Sequence, residues 1–528
     1  MPISLHRPRT RIAIVLLAVA ILVVALATAR RGSTAGAGPS NSVQTLGADL
    51  DAILADPSMA GASESVTVAK ADGTVLYTHD ADRRLNPASN MKLFTSSVAL
   101  DVLGPNFRFA TDVSAAGKSS HGVLRGNLYL RGKGDPTLLA SDYDSIAAQV
   151  ARSGVRYVAG SLVADSTYFD NDPLGVGWAW DDEPYYYSQQ ASALTVSPNT
   201  DYDNGNVIVD TSAGKVGTKA ALTLVPQTGY VHLVNETTTT TGSTDTIDVE
   251  RQHGTNTIVV SGSIGTGHDV DEEWATVDKP AGYAADVFRR ALARHGVTVL
   301  GRTSYAPTPK GTTELATHKS MTLADMYIPF LKLSNNGHAE ALAKTLGAVV
   351  KGEGSWDAGM QVIADHLASY GVDASTIQQV DGSGLSRFDL VPSAQIVKLL
   401  AVAQQRPWFD AWFNALPIAG NPDRMIGGTL AHRLAGTPAA GMHGKTGSLT
   451  SVDTLSGYVN DADGDRLIFS VMLTDFVNAD PEAIEDQIAI RVATYSTKAG
   501  AARGVPKAPH KRTPAQVGHD NQGRRQHP

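Results

Sequence analysis

The apolar and polar positions of the chain fall into blocks of different period. Residues 64–78 alternate as a pair of strands, with Asp72-Gly73 between them as a hairpin turn signal. Pro87 opens a helical stretch that runs to about Leu103 and is stopped by Gly104-Pro105. From about 109 to 315 the runs shorten. Strand-like segments such as Leu222–Val225, Tyr230–Val234 and Thr257–Ile264 are separated by Gly, Asn and Asp turns. A Thr run, Thr237–Thr241, lies among them, and one clear helix covers about Tyr283–His295. Beyond 320 helical spacing returns over Asn336–Val350, Ser355–Tyr370 and Ser393–Gln404. Ser451–Val459 and Leu467–Asp475 alternate as strands joined through Asp461–Asp465. A last helix starts at Asp480, with Pro481 in its first turn, and ends near Tyr495. The pattern predicts an α/β (α+β) fold. One domain, 45–108 and 316–497, is split by a mostly β insertion of two lobes over 109–315.

The two ends have a different character. Arg7, Arg9 and Arg11 precede an apolar run from Ile12 to Ala29 that only Thr28 interrupts. A basic flank before such a run is a membrane-targeting signal and predicts export. The 18 residues suit a cleaved signal peptide or a retained anchor, and the basic side would keep the body outside the membrane. Residues 32–44 are rich in Gly, Ser and Ala and read as a linker. Residues 498–528 hold four Pro and seven Lys or Arg without apolar periodicity, and read as a disordered basic tail.

Charge sharpens this division. The whole chain of 528 residues has a formal charge of −8, but residues 1–31 hold five Arg and no acid. Without both ends, 32 basic and 51 acidic residues remain, a body of −19. Such a body argues against nucleic acid as a partner, because phosphate binding needs a basic face. The chain has no cysteine, which excludes disulfides, thiolate zinc sites and a cysteine nucleophile. His338, His432 and His443 are not spaced as ligands on one face, so no metal is expected from them.

Three short stretches carry chemistry. Ser89 and Lys92 are three apart at a helix start, so both side chains lie on one face. A partly desolvated Lys can serve as base to a Ser nucleophile, and the helix N-terminus offers N–H groups to an oxyanion. Ser334-Asn335-Asn336 sets a hydroxyl and an amide two residues apart, a proton relay and a holder of a peptide carbonyl, or else an ordinary helix cap. Lys445-Thr446-Gly447-Ser448 lacks the upstream glycine of a phosphate loop, since residue 439 is Ala. It reads as a strand edge whose Gly lets a ligand approach the backbone.

In this order the motifs S-x-x-K, S-x-N and K-T-G are those of penicillin-recognising serine enzymes. Further segments agree: 87–93, Gly134–Leu138, Trp180–Tyr185, Lys332–Gly337, Asp381–Ser386 and Gly428–Leu430. Over about residues 45–497 the chain resembles the class C low-molecular-mass penicillin-binding proteins, the D-alanyl-D-alanine carboxypeptidase/endopeptidases. The long gap from Ser89 to Ser334 matches the insertion of that class and is longer than in the small serine β-lactamases. The resemblance implies a transpeptidase/β-lactamase-like catalytic domain and no cofactor. It implies Ser89 as nucleophile, Lys92 as general base, Ser334 as proton relay and Asn336 as holder of the acyl-side amide. Lys445 and Thr446 would bind the terminal carboxylate. The N–H groups of Ser89 and Ser448, beside Gly447, would form the oxyanion hole. Expected partners are peptidoglycan peptides ending in D-Ala-D-Ala, and β-lactams. Membrane contact is expected only through the N-terminal segment.

Asp182, beside Trp178, Trp180 and Tyr187, and Arg387 are candidates for an acid–base pair that reads a diamino acid side chain, or are merely surface charges. Glu340, four residues after Asn336, is expected to orient the S-x-N turn. Alternatives are a β-lactamase or esterase of the same fold, or a non-catalytic wall-binding scaffold.

Overall fold

The strand Arg466–Thr474, RLIFSVMLT, is buried at every position but the first, and between its polar ends only Ser470 is polar. Alternate side chains of a strand point to opposite faces, so a strand of this kind must be covered on both. In the computed structural model, which describes residues 39–498, it is the centre of a five-stranded antiparallel sheet. Ser63–Lys70 and Val75–His79 lie on one side of it, Val452–Asn460 and His443–Leu449 on the other. Phe469, Val471 and Leu473 enter one core, Ile468 and Met472 the other. The first core is closed by the helices Pro39–Leu54 and Pro481–Ala493. The second lies among the helices Met91–Leu103, Leu323–Lys332, Asn336–Val350, Trp356–Ser369 and Ser393–Ala403. His443–Leu449, which carries the K-T-G motif, is left as a sheet edge.

The targeting segment 1–31, residues 32–38 of the expected linker and the tail beyond 498 lie outside the described residues. The remainder of the linker, 39–44, is instead helical, as the start of Pro39–Leu54. Its Gly and Ser content hid a stripe of Leu46, Leu50, Ile53 and Leu54, which is buried in the first core.

The inserted region is built on a seven-stranded sheet in which Ala110–Ser120 pairs with Val123–Gly132. A strand at Thr313–Lys319 closes it, four residues past the expected boundary at 315. Two helices cover this region, Pro280–Arg294 and Ala140–Arg152. The second was not expected, although Tyr143, Ile146, Ala147 and Val150 form its buried stripe. A further group of small sheets includes Asn206–Ser212, His232–Asn235 and Thr257–Ser261. The expected two lobes are two groups of sheets over one shared core, to which Leu128 and Tyr143 contribute from the first and Val207 and Ile258 from the second.

Because Leu50 is fully buried, Leu50→Ala should lower stability by roughly 2–5 kcal/mol. A urea unfolding midpoint equal to that of the parent would show that Pro39–Leu54 is not part of the folded unit.

Candidate active site

Ser89 stands in a single turn of 3-10 helix, Ala88–Asn90, that leads into Met91–Leu103. The turn is held from two sides. Thr454 Oγ1 donates to Pro87 O at 2.9 Å. Gly447 packs so close that a Cβ there would meet Ser89 N at 2.8 Å and Pro87 O at 2.9 Å. On the other side Gly384, at φ +84, lies under the Ala88 carbonyl, where a Cβ would come within 1.8 Å of the oxygen. Both glycines are demanded by close approach of backbone to backbone.

Lys92 reaches back along the helix face as its spacing predicts. Its Nζ donates to Ser89 Oγ at 2.7 Å, to Asn336 Oδ1 at 2.6 Å and to Ser383 O at 2.8 Å. The side chain is fully buried, and desolvation pulls the ammonium down to about 7. A lysine with this pKa is half neutral near pH 7 and can accept the Ser89 proton. Lys445 is also buried; it donates to Ser334 Oγ at 2.8 Å and to Thr446 O at 2.6 Å. Desolvation and the neighbouring Lys92 lower its pKa well below the usual range. Ser334 adopts φ +60, and the Asn335 that follows it makes no side-chain cap to Asn336–Val350. The S-x-N stretch is therefore not an ordinary cap. Its Ser faces Lys445 and its Asn336 faces Lys92, the latter also donating Nδ2 to Tyr187 O at 2.7 Å.

Glu340 does not brace the S-x-N turn. Its buried carboxylate accepts from Gly382 N at 2.8 Å, Ser383 N at 2.9 Å and Trp356 Nε1 at 2.7 Å. It thereby fixes the loop whose Ser383 carbonyl binds Lys92. Asp381 closes the same loop by accepting from Gly384 N and Ser386 N, both at 2.7 Å. Burial pushes Glu340 up to about 7, with nearby Asp381 adding to the rise. Glu340, Asp381 and Asp389 in turn hold the Lys92 pKa above where desolvation alone would leave it. The Ser383 carbonyl escaped sequence reasoning; the turn-forming run Asp381-Gly-Ser-Gly384 was its only local signal.

Ser89, Ser334, Asn336, Thr446, Gly447 and Ser448 open onto one cleft of about 460 Å³. Asp182 and Arg387 line the same cleft. Asp182 Oδ1 accepts from Tyr187 OH at 2.9 Å, and burial raises its pKa. Arg387 Nη1 donates to Thr450 O at 3.0 Å. The two Trp expected beside Asp182 are engaged elsewhere. Trp178 Nε1 donates to Asp381 at 2.8 Å, and Trp180 stacks on His253 with ring centroids 4.0 Å apart. Two further cleft residues, Asp201 and Arg424, were not singled out from the sequence, because no motif marks them, whereas Thr429 lies in the segment Gly428–Leu430 noted there. His338 bonds Tyr202 O and His443 stacks on Phe413, so both are packed.

A helix-covered antiparallel sheet whose edge strand carries Lys445, with Ser89 and Ser334 on one cleft and Lys92 buried behind Ser89, defines a penicillin-recognising serine enzyme. Residues 46–495 match the profile of the D-Ala-D-Ala carboxypeptidase 3 (S13) family, and the chain belongs to that family. A D-alanyl-D-alanine carboxypeptidase of an Actinomadura species is 43% identical over 454 residues, 85% of this chain and 84% of the relative. D-alanyl-D-alanine carboxypeptidase DacB of Haemophilus influenzae is 26% identical over 406 residues, 75% of this chain and 82% of the relative. The crystal structure of penicillin binding protein 4 (dacB) from Haemophilus influenzae superposes with a TM-score of 0.71 at 24% identity, covering 85% of this chain and 98% of that one. The fold is thus shared with that protein, and the chain is a low-molecular-mass penicillin-binding protein of the D-Ala-D-Ala carboxypeptidase type.

Glu340, pushed up to about 7, is partly ionised where Lys92 titrates, and Glu340→Gln removes that partial charge, so the Lys92 pKa should fall. The acid limb of the pH profile for penicillin acylation should then move to lower pH. Stopped-flow acylation between pH 5 and 9 reads this, and a limb that stays in place or moves up would refute the coupling.

Proposed function

We propose that the chain hydrolyses the bond between the two terminal D-alanines of peptidoglycan stem peptides through an ester on Ser89. The observation that carries this is the double pairing in one cleft, Lys92 Nζ on Ser89 Oγ and Lys445 Nζ on Ser334 Oγ. Neutral Lys92 takes the Ser89 proton as Oγ attacks the carbonyl carbon. The N–H groups of Ser89 and Ser448 receive the oxyanion, each donor contributing about 3 kcal/mol. The C–N bond breaks as Ser334, held by Lys445, gives its proton to the departing amine and takes in exchange the one that Lys92 drew from Ser89. Water then cleaves the ester, with Lys92 again taking a proton. Lys445 and Thr446 take the terminal carboxylate, and the cleft needs no metal for any step. Asn336 commits its amide to Lys92 and Tyr187, so its first task is to fix the base, and holding the acyl-side amide is its second.

Asp182 and Arg387 support a reading of the third residue of the stem. Both line the cleft, an acid and a base able to meet the amine and carboxylate at the tip of a diamino acid such as diaminopimelate. A β-lactam resembles the acyl-D-Ala-D-Ala end and would be trapped on Ser89. Such substrates lie outside the cytoplasm, and the Arg-flanked apolar run 12–29 is the feature that would carry the chain there.

Ser89→Ala should abolish both covalent labelling by a fluorescent penicillin and release of D-alanine. Persistent labelling would move the nucleophile elsewhere. Asp182→Ala and Arg387→Ala should each lower kcat/KM for a diaminopimelyl peptide about tenfold, the scale of one lost polar contact. Unchanged turnover would remove the pair from the substrate site.

A further inference from the structure

We infer that the cleft holds a second peptide-binding subsite, on the leaving-group side of Ser89, in which Arg424 receives a carboxylate of a peptide attached to the departing amine. The inference rests on the peptidase reading above and extends it to cross-linked substrates.

The edge strand His443–Leu449 gives the cleft a direction. Just past its end, Thr450 O accepts from Arg387. At its midpoint, Thr446 Oγ1 donates to Thr429 Oγ1 at 2.7 Å. These two points are four residues apart, or about 13 Å along a strand. Asp182 and Arg387 therefore flank the acyl half of a bound peptide. Thr429 and Arg424 flank the other half, beyond the place of the terminal carboxylate.

Arg424 is built for a further contact. It opens the short helix Arg424–Gly427 that delivers Gly428 and Thr429 to the cleft. Its Nη1 and Nη2 donate to the two oxygens of Asp201 at 2.5 and 3.0 Å. That pair occupies the end of the guanidinium fork. The side edge, Nε with the second N–H of Nη2, fits another carboxylate, and among the described residues no protein group bonds Nε. The Arg424 side chain stays 41% exposed on the cleft wall, whereas that of Asp201 is 9% exposed. Asp201 is itself anchored, because its carbonyl accepts from Asn335 Nδ2 at 2.7 Å, one residue from Ser334. The guanidinium is thus held in position before any ligand arrives, which reduces the ordering cost of binding.

A single D-alanine on the leaving side carries only a methyl group and the carboxylate that Thr446 takes. It ends at that carboxylate and offers no second one for Arg424. A cross-linked stem differs, because its departing amine belongs to a diamino acid that continues into a second, acidic peptide. Arg424 therefore favours splitting of such dimers, with the same bond changes: the amide C–N breaks, Ser89 is acylated, and the amine leaves protonated.

The test compares the purified parent enzyme with Arg424→Ala and Arg424→Lys on a cross-linked muropeptide dimer and on a monomeric pentapeptide, read by mass spectrometry. In Arg424→Ala the ratio of kcat/KM for dimer over monomer should fall tenfold or more, mainly through KM. Arg424→Lys should recover part of it. Labelling by fluorescent penicillin reports a folded site. An unchanged ratio overturns the inference, as does a parent enzyme that trims monomers but leaves dimers intact. Equal losses on dimer, monomer and penicillin also overturn it, since Arg424 would then only brace Asp201 and Asn335. If the parent neither releases D-alanine nor reacts with penicillin, the failure belongs to the peptidase reading instead.

Discussion

A lysine ammonium buried without solvent costs several kcal/mol unless its protons find partners. At Lys92 three oxygens supply them, and each comes from a different part of the chain: Ser89, Asn336 and the Ser383 carbonyl. Bringing these together requires the helix Met91–Leu103 to lie against Asn336–Val350, with the 381–386 loop locked between. Glu340 and Trp356 lock it from one side, and Asp381 and Trp178 from the other. The residual cost of burial is expressed as a lowered pKa, which makes Lys92 a base rather than a permanent cation. Structural satisfaction and chemical competence are therefore the same arrangement.

The inserted region takes part in this cleft as well as enlarging the protein. The Tyr187 carbonyl accepts from Asn336, and residues 201–204 lie over the start of Asn336–Val350, where His338 bonds Tyr202 O. A bare catalytic domain would leave the cleft open at both ends. Walls of this kind suit a long peptide that must be gripped on either side of the bond to be cut.

The formal charge of −19 in the body overstates the field that an anionic cell-wall polymer would meet. Several of its acids are interior. Glu340, Asp389 and Asp135 are buried, and desolvation raises the pKa of each. Part of the excess negative charge is thus invested in holding loops and lysines in place.

The order of motifs and the alternation of strands and helices were legible because they are local. Ser89 and Lys92 share a face through helical spacing alone, and Leu467–Leu473 shows its two-sided burial in composition. The helices Pro39–Leu54 and Ala140–Arg152 were hidden by Gly, Ser and Asp that mask a narrow apolar stripe, since propensity counts residues whereas burial needs only one side of a helix. The sequence by itself determined the family and the pairing of Lys92 with Ser89 on one helix face. Tertiary structure alone decided that Glu340 serves the Ser383 loop rather than its own turn, that Trp178 and Trp180 turn away from Asp182, and that Asp201 from the insertion meets Arg424. These contacts join positions from 42 to 223 residues apart, and no local period records which distant partner will be present when a polar group is taken out of water.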